Sequence, residues 1–296
     1  MLIYGNTSPA FLLRTMFPDA EAMRMRVGES GDDVLGRASR PFDTFAFHVN
    51  LTDSARVPLD RERFVSSLEA SGRVVVNRGI TDISKSGLHE RCRLAGLRVT
   101  AAERDGPQDE LLIVKTDFNC GGAGERQLNR TECASIGIPY RDYSFYKGGS
   151  SYAILSRSDL DDALWGDGDY VIDTFVENSR DWFYRCYVYG DHLVVSRAVD
   201  PEPLKRMPTG TVRSDFSFTL GGGVPTGLYR TPTDVVDVAR DVAALIHTSG
   251  IDFAAIDVVA DESGAPYVVD INLTPVWGDT GLSDIVAFLA EGSIAR

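Results

Sequence analysis

The chain has 296 residues, of which 43% are hydrophobic, enough for a sizeable core in one large domain or a few small lobes. Its formal net charge is -13, which argues against broad, nonspecific binding to DNA or RNA but leaves room for a local basic cleft. Cys92, Cys120, Cys133 and Cys186 form no CxxC pair, the start lacks a basic leader, and no apolar run approaches the ~18 residues of a membrane span. A cytoplasmic protein is expected, with no zinc site, nucleic-acid partner or membrane partner.

In chain order, the first stretch reads as a small α/β lobe. "LIY" at Leu2–Tyr4 and "FAFHVN" at Phe45–Asn50 have strand character. "DRERFVSSLEASG" predicts a helix with Asp60 as N-cap and Gly72 as its stop, and "RVVVN" predicts a further strand ending at Asn77. "SKSGLHERCRLAGLRV" predicts a helix capped by Ser84, with Leu88, Cys92 and Ala95 inward and Gly96 at its end. "ELLIVKTDFN" is a near-continuous apolar strand followed by the Gly-rich "CGGAGE". "DLDDALWG" predicts a short helix from near Ser158, and "DYVIDTFVEN" a strand running into a polar loop.

"WFYRCYVYGDHLVVSRAV" predicts a hairpin with Gly190-Asp191 at its tip. Pro201 to Arg230 is rich in Pro, Gly, Thr and Ser and reads as a long loop. "TPTDVVDVARDVAALIHTSG" is the clearest helix: Pro232 lies in its first turn, Val235, Val238, Ala239, Val242 and Leu245 line one face, and Gly250 ends it. "FAAIDVV" and "YVVDIN" follow as a strand pair turning at "ADESGAP", and "SDIVAFLAEG" gives a last helix.

The strand pair carries the most pointed signal. A hairpin closed symmetrically about Ser263-Gly264 sets Val259 opposite Val268 and Asp257 opposite Asp270, with Asn272 on the same face as Asp270. Opposed carboxylates repel, and a cation between them removes the penalty. Three hard oxygen donors suit Mg²⁺ or Mn²⁺. The plainer alternative is an aspartate exposed on a sheet edge, and a one-residue slip would separate the trio.

Such a cation site points to a nucleotide. Lys115 lies on a strand just before Gly121, Gly122 and Gly124, which allow backbone N–H groups to approach phosphates, or form an ordinary turn. No Walker GK[ST] follows. The backbone around Phe175 and Val176 can offer N–H and C=O groups to a purine edge. Arg185 and Arg197, one on each hairpin arm, suit bidentate contact with phosphate or carboxylate, or are surface arginines.

The order of these parts resembles the ATP-grasp superfamily, and within it the carboxylate–amine ligases of the RimK type, over roughly Val74 to Ala290. "AAIDVVADESGAPYVVDINLTP" is the most specific match, an Asp followed by an acidic-x-Asn pair. "LLIVKTDFNCGGAGE" resembles the strand with the second nucleotide lysine and the Gly-rich loop. Lys85 matches the first such lysine, Asp181 a ribose acceptor in competition with Glu177, and Arg185 a phosphate ligand. Asp270 stands where the family has glutamate, and the stretch from Arg213 to Gly223 is loosely similar to its substrate-side loop.

The resemblance implies an α/β protein of α+β lobes with the ATP-grasp fold. A short α/β lobe spans 1–78 and the ATP-grasp domain 79–296, divided into a central lobe (79–175) and a C-terminal lobe (176–296). It implies ATP and Mg²⁺, formation of an acylphosphate from a small-molecule or peptide carboxylate, and its displacement by an amine. Asp257, Asp270 and Asn272 would hold Mg²⁺, and Lys85, Lys115 and Arg185 the phosphates. Arg197 and Arg213 would serve the acylphosphate or a substrate carboxylate. A kinase on the same fold and a non-catalytic nucleotide-binding protein remain as alternatives. A homodimer is the base-rate expectation.

Overall fold

The computed structural model describes residues 1–141, 152–205, 213–277 and 283–294. The first lobe runs β1 (Leu2–Gly5), α1 (Leu12–Met16), β2 (Glu21–Arg24), α2 (Gly31–Arg37), β3 (Thr44–His48), α3 (Arg61–Ala70) and β4 (Val74–Val76). Its strands are parallel, in the order β2-β1-β3-β4. β1 and most of β3 are buried on both faces, the pattern of a covered parallel sheet. Asp60 does occupy the N-cap of α3, but its carboxylate accepts from the Gly31 N–H at 2.7 Å. It therefore ties α3 to the start of α2.

Next come α4 (Lys85–Leu94), β5 (Leu111–Thr116), α5 (Arg130–Ile136), β6 (Tyr152–Ser156) and β7 (Tyr170–Thr174). The Ser84 hydroxyl accepts from the Gly87 N–H at 2.9 Å and starts α4 as expected. The strands form an antiparallel sheet ordered β6-β5-β7. The short helix expected at "DLDDALWG" is two 3-10 turns, Arg157–Asp159 and Asp162–Gly166. Leu128, Ile136 and Ile138, which follow β5, pack into the core of the first lobe with Val34, Phe45 and Phe64.

The last part runs β8 (Trp182–Tyr189), β9 (His192–Val199), β10 (Arg213–Gly221), β11 (Val224–Thr226), α6 (Thr233–Ser249), β12 (Phe253–Ala260), β13 (Pro266–Asn272) and α7 (Ser283–Ala290). It forms one antiparallel sheet ordered β11-β10-β9-β8-β12-β13. The long loop expected from Pro201 to Arg230 is corrected: it holds β10 and β11, while its residues 206–212 lie outside the described ones. Phe216, Phe218 and Leu220 alternate inward along β10, a two-residue period that the surrounding Ser, Thr and Gly obscure.

The two faces of this sheet differ. α6 lays Val235, Val238, Ala239, Val242 and Leu245 against Tyr184, Cys186, Val195 and Ile256. On the opposite face Tyr187, Tyr189, Val194, Phe253 and Ala255 pack against Ile3, Leu12, Leu13 and Leu289. Farther along that second face lies a cleft of about 480 Å³, closed on its other side by residues of β5 to β7.

Candidate active site

The β12–β13 hairpin sets Asp257 opposite Asp270, as the sequence predicts. The symmetric register does not persist to the turn. A shift between Asp257 and Val258 brings Val259 opposite Tyr267, not Val268. A bulge at Val269 absorbs the difference, and Val269 lines the cleft.

Across the sheet the pairing continues. Asp257 faces Arg185 on β8, Arg185 faces Ser196 on β9, and Ser196 faces Asp215 on β10. Because strand neighbours share a face, Asp270, Asp257, Arg185, Ser196 and Asp215 form one polar row. Arg185 donates from Nε and Nη2 to the two oxygens of Asp257 at 2.7 and 2.8 Å, the fork geometry of an ionised pair. Burial pushes the Asp257 carboxyl up, Arg185 pulls it back, and the facing Asp270 pushes it up again. Burial alone would lower Arg185, but its bond to Asp257 more than offsets this and holds it above the ordinary arginine value.

Two lysines enter from the other side. Lys85 opens α4, is 3% exposed, donates to the Phe118 carbonyl at 3.2 Å and lies 3.9 Å from Asp270. Lys115 on β5 lies 2.6 Å from Asp173 of β7, and His89 of α4 lies 2.9 Å from the other Asp173 oxygen. Asp173 is 1% exposed. Burial pushes its carboxyl up, yet Lys115 and His89 outweigh that and hold it well below the usual range. Sequence reasoning missed Asp173 and His89. The signal was there in "YVIDTF", where a carboxylate interrupts an apolar strand.

The Gly-rich turn departs from expectation. Of Gly121, Gly122 and Gly124, none lines the cleft; Cys120 does. Cys120, Gly121 and Gly122 have left-handed φ of 47°, 59° and 74°. A Cβ on Gly124 would lie 1.6 Å from the Asn50 carbonyl oxygen. Asn119 N–H donates to the Thr52 hydroxyl at 2.9 Å, and Thr52 N–H donates to Glu125 at 2.6 Å. The close approach that glycine allows is made to the first lobe, so the turn is a clamp between lobes.

Phe175 and Val176 line the cleft together with Lys115, Cys120, Arg185, Asp257, Asp270 and Asn272. The Phe175 N–H already donates to the Leu111 carbonyl at 2.9 Å. Asp181 lies outside the cleft lining and accepts from Lys205 at 2.6 Å. Lys205 itself lines the cleft and was missed. Glu177 lines a neighbouring cavity of about 730 Å³ that shares Phe175 and Val176.

Arg197 is not brought into the site. It follows Ser196 on β9, so alternation turns it to the α6 face, where it donates to Asp234 at 2.8 Å. Arg213 lies on the cleft side of the sheet, 3.4 Å from Asp215 and 5.6 Å from the Trp277 ring, and its Nε and Nη2 are buried without a hydrogen-bond partner.

Among the described residues no group of three or more His, Cys, Asp and Glu could form a metal cage. Asp257, Asp270 and the Asn272 amide supply hard oxygens. The Asn272 oxygen also accepts from the Thr274 N–H at 2.8 Å. Two carboxylates and an amide fit a divalent cation that arrives with phosphate oxygens and water, the usual habit of Mg²⁺.

No family model matches the sequence, and no curated protein matches it. Solved structures match its fold. The ATP-grasp ligase PsnB, complexed with a phosphomimetic variant of its minimal precursor, Mg and ADP, is 14% identical over 98% of this chain and 95% of that one, with a TM-score of 0.53. PsnB with precursor peptide PsnA2 and AMPPNP gives 14% identity over 98% and 95%, and a TM-score of 0.51. An L-amino acid ligase from Bacillus licheniformis gives 11% over 98% and 72%, and a TM-score of 0.50. The chain has the ATP-grasp fold. Its likeness to these ligases lies in the path of the backbone.

Proposed function

We propose that the chain is an ATP-dependent ligase that activates a substrate carboxylate as an acylphosphate and joins it to an amine, releasing ADP and phosphate. The observation that carries this reading is the polar row Asp270–Asp257–Arg185 with Lys85 and Lys115 entering from the opposite side. A nucleotide fits between them, with its base at Val176 and its phosphates toward the lysines and Arg185. Lys115 is oriented by Asp173, which keeps its ammonium group in place while it meets phosphate oxygens.

Asp257, Asp270 and Asn272 would hold Mg²⁺ or Mn²⁺, which neutralises charge on phosphate oxygens when bound. The substrate carboxylate oxygen attacks the γ-phosphorus, and the bond from that phosphorus to the ADP oxygen breaks. The amine then attacks the acyl carbon, the bond to the phosphate oxygen breaks, and phosphate leaves. No protein nucleophile is required. Arg213, whose Nε faces Asp215 while its Nη2 is buried without a hydrogen-bond partner, would turn that Nη2 to a carboxylate of the substrate. The PsnB structures hold precursor peptide, Mg and ADP, and the other relative is named for L-amino acids. Those classes are the first to screen here, as small-molecule or peptide carboxylates and amines.

Isothermal titration with AMPPNP, with and without Mg²⁺, tests the site. Binding strengthened by Mg²⁺ in the native chain and lost in Asp270→Asn/Asn272→Ala is expected. A folded native chain that binds no AMPPNP overturns the reading. Hydroxylamine trapping during the substrate screen then tests the chemistry, because an acylphosphate gives a hydroxamate and a phosphorylated hydroxyl does not.

A further inference from the structure

Asn50 lies just past β3, at the carboxyl edge of the first lobe's parallel sheet, where such sheets present residues to ligands. Its Oδ1 accepts from the Asn119 amide at 2.7 Å and lies 3.4 Å from the Thr274 hydroxyl oxygen. That same hydroxyl oxygen lies 3.3 Å from the Asn272 Oδ1, which also accepts from the Thr274 N–H. Three lobes therefore meet at two amide oxygens and one hydroxyl.

A hydroxyl has one proton to donate. Two acceptors compete for it, Asn272 Oδ1 and Asn50 Oδ1. When Asn272 takes it, that oxygen has both lone pairs filled, one by the backbone N–H and one by the hydroxyl. A cation needs one of those lone pairs. The proton must then turn elsewhere, and Thr274 is only 5% exposed, so water is a poor alternative. Asn50 Oδ1 is the acceptor at hand. It is held there by Asn119, itself 2% exposed and pinned to Thr52.

We propose that Asn50 is a positioning residue for the cation-binding amide: it takes the Thr274 hydroxyl proton and so frees the Asn272 oxygen for a divalent cation. The first lobe thereby sets cation affinity without touching the cation. The inference rests on the reading of Asp257, Asp270 and Asn272 as a cation site.

The test is a Mn²⁺ titration followed by electron paramagnetic resonance in saturating ADP, with ADP binding in EDTA measured beside it. Asn50→Ala is expected to weaken Mn²⁺ about tenfold, the low end for losing a partner that orients a metal ligand. Asn50→Asp keeps an acceptor oxygen and stays within about threefold of the native chain, on the same scale. ADP binding in EDTA is unchanged in both. In a Thr274→Val background, Asn50→Ala has no further effect, because the hydroxyl that needs a second acceptor is gone. Native-like Mn²⁺ affinity in Asn50→Ala, beside a loss in Asn272→Ala, overturns the inference and leaves the cation site standing. Equal losses of Mn²⁺ and of metal-free ADP binding in Asn50→Ala overturn it as general damage. A native chain that binds ADP but no Mn²⁺ takes down the cation site and the inference together.

Discussion

The two faces of the six-stranded sheet carry similar residues to different ends. Arg185 and Arg197 sit on the two arms of one hairpin, and each pairs with an aspartate at 2.7 to 2.8 Å. Arg185 looks into the cleft beside Asp257 and Asp270. Arg197 looks toward α6, where Asp234 accepts from both it and the Tyr184 hydroxyl. One step of strand alternation separates a cleft-facing cation from one that braces a helix. In a sheet, the parity of a residue decides its use before its chemistry does.

The sharpest way to break this comparison is to remove both arginines in turn. Arg185→Met is expected to lower AMPPNP affinity at least ~100-fold, about 3 kcal/mol, within the range for truncating one partner of a hydrogen-bonded charge pair. Arg197→Met leaves that affinity within about twofold and instead costs about 1–2 kcal/mol of stability in urea. Equal losses of affinity in the two variants would put both residues in one site.

The cleft face also has a dry end, and pH separates it from the wet one. His48 is fully buried between Phe11 and Phe253, with ring centroids at 4.9 and 6.3 Å. Burial pushes its pKa down to about 4 from the ordinary 6.5. Between those values the unfolded chain binds a proton that the folded chain refuses. Its cost is absent above pH 6.5 and grows as pH falls toward 4, to roughly 3 kcal/mol. His48→Gln should therefore flatten the fall in urea midpoint between about pH 7.5 and 4.5. An unchanged pH profile removes His48 as the cause.

Smaller effects sharpen the picture further. Gly124→Ala drives a methyl into the Asn50 carbonyl and should cost about 2–3 kcal/mol of thermal stability, whereas a turn free to fold over a nucleotide would tolerate it. Tyr184→Phe, on the α6 face, loses one hydrogen bond to Asp234 and about 1 kcal/mol, with AMPPNP binding unchanged.

Much of this was legible in the sequence. The period of α6 and the cap of α4 followed from local rules, whereas the opposition of Asp257 to Asp270 was expected from a symmetric hairpin and is reached through a bulge at Val269 that those rules did not supply. The placement of Arg197 was also within reach. The tip at Gly190-Asp191 pairs Tyr189 with His192, and counting back from it opposes Arg185 to Ser196. The glycine turn was a different matter. Glycines allow close approach by a phosphate or by another stretch of backbone, and Asn50, about seventy residues away in sequence, decides which at Gly124. β10 was hidden because polar Asp215, Ser217 and Thr219 alternate with its apolar residues. Asp173 was signalled by a carboxylate inside an apolar strand, whereas His89 needed its tertiary pairing with Asp173 to become visible.

The packing of Leu128, Ile136 and Ile138 among Val34, Phe45 and Phe64 sets an order of events during synthesis. The four strands of the first lobe are complete by Val76, but one wall of their core is not yet made. At roughly 5–20 residues per second, several seconds pass before Ile138 leaves the ribosome. During that interval the nascent sheet shows apolar surface to its surroundings. The first lobe is therefore first in sequence but is finished only with the central one, and a chain cut between them would expose both halves of a shared interior.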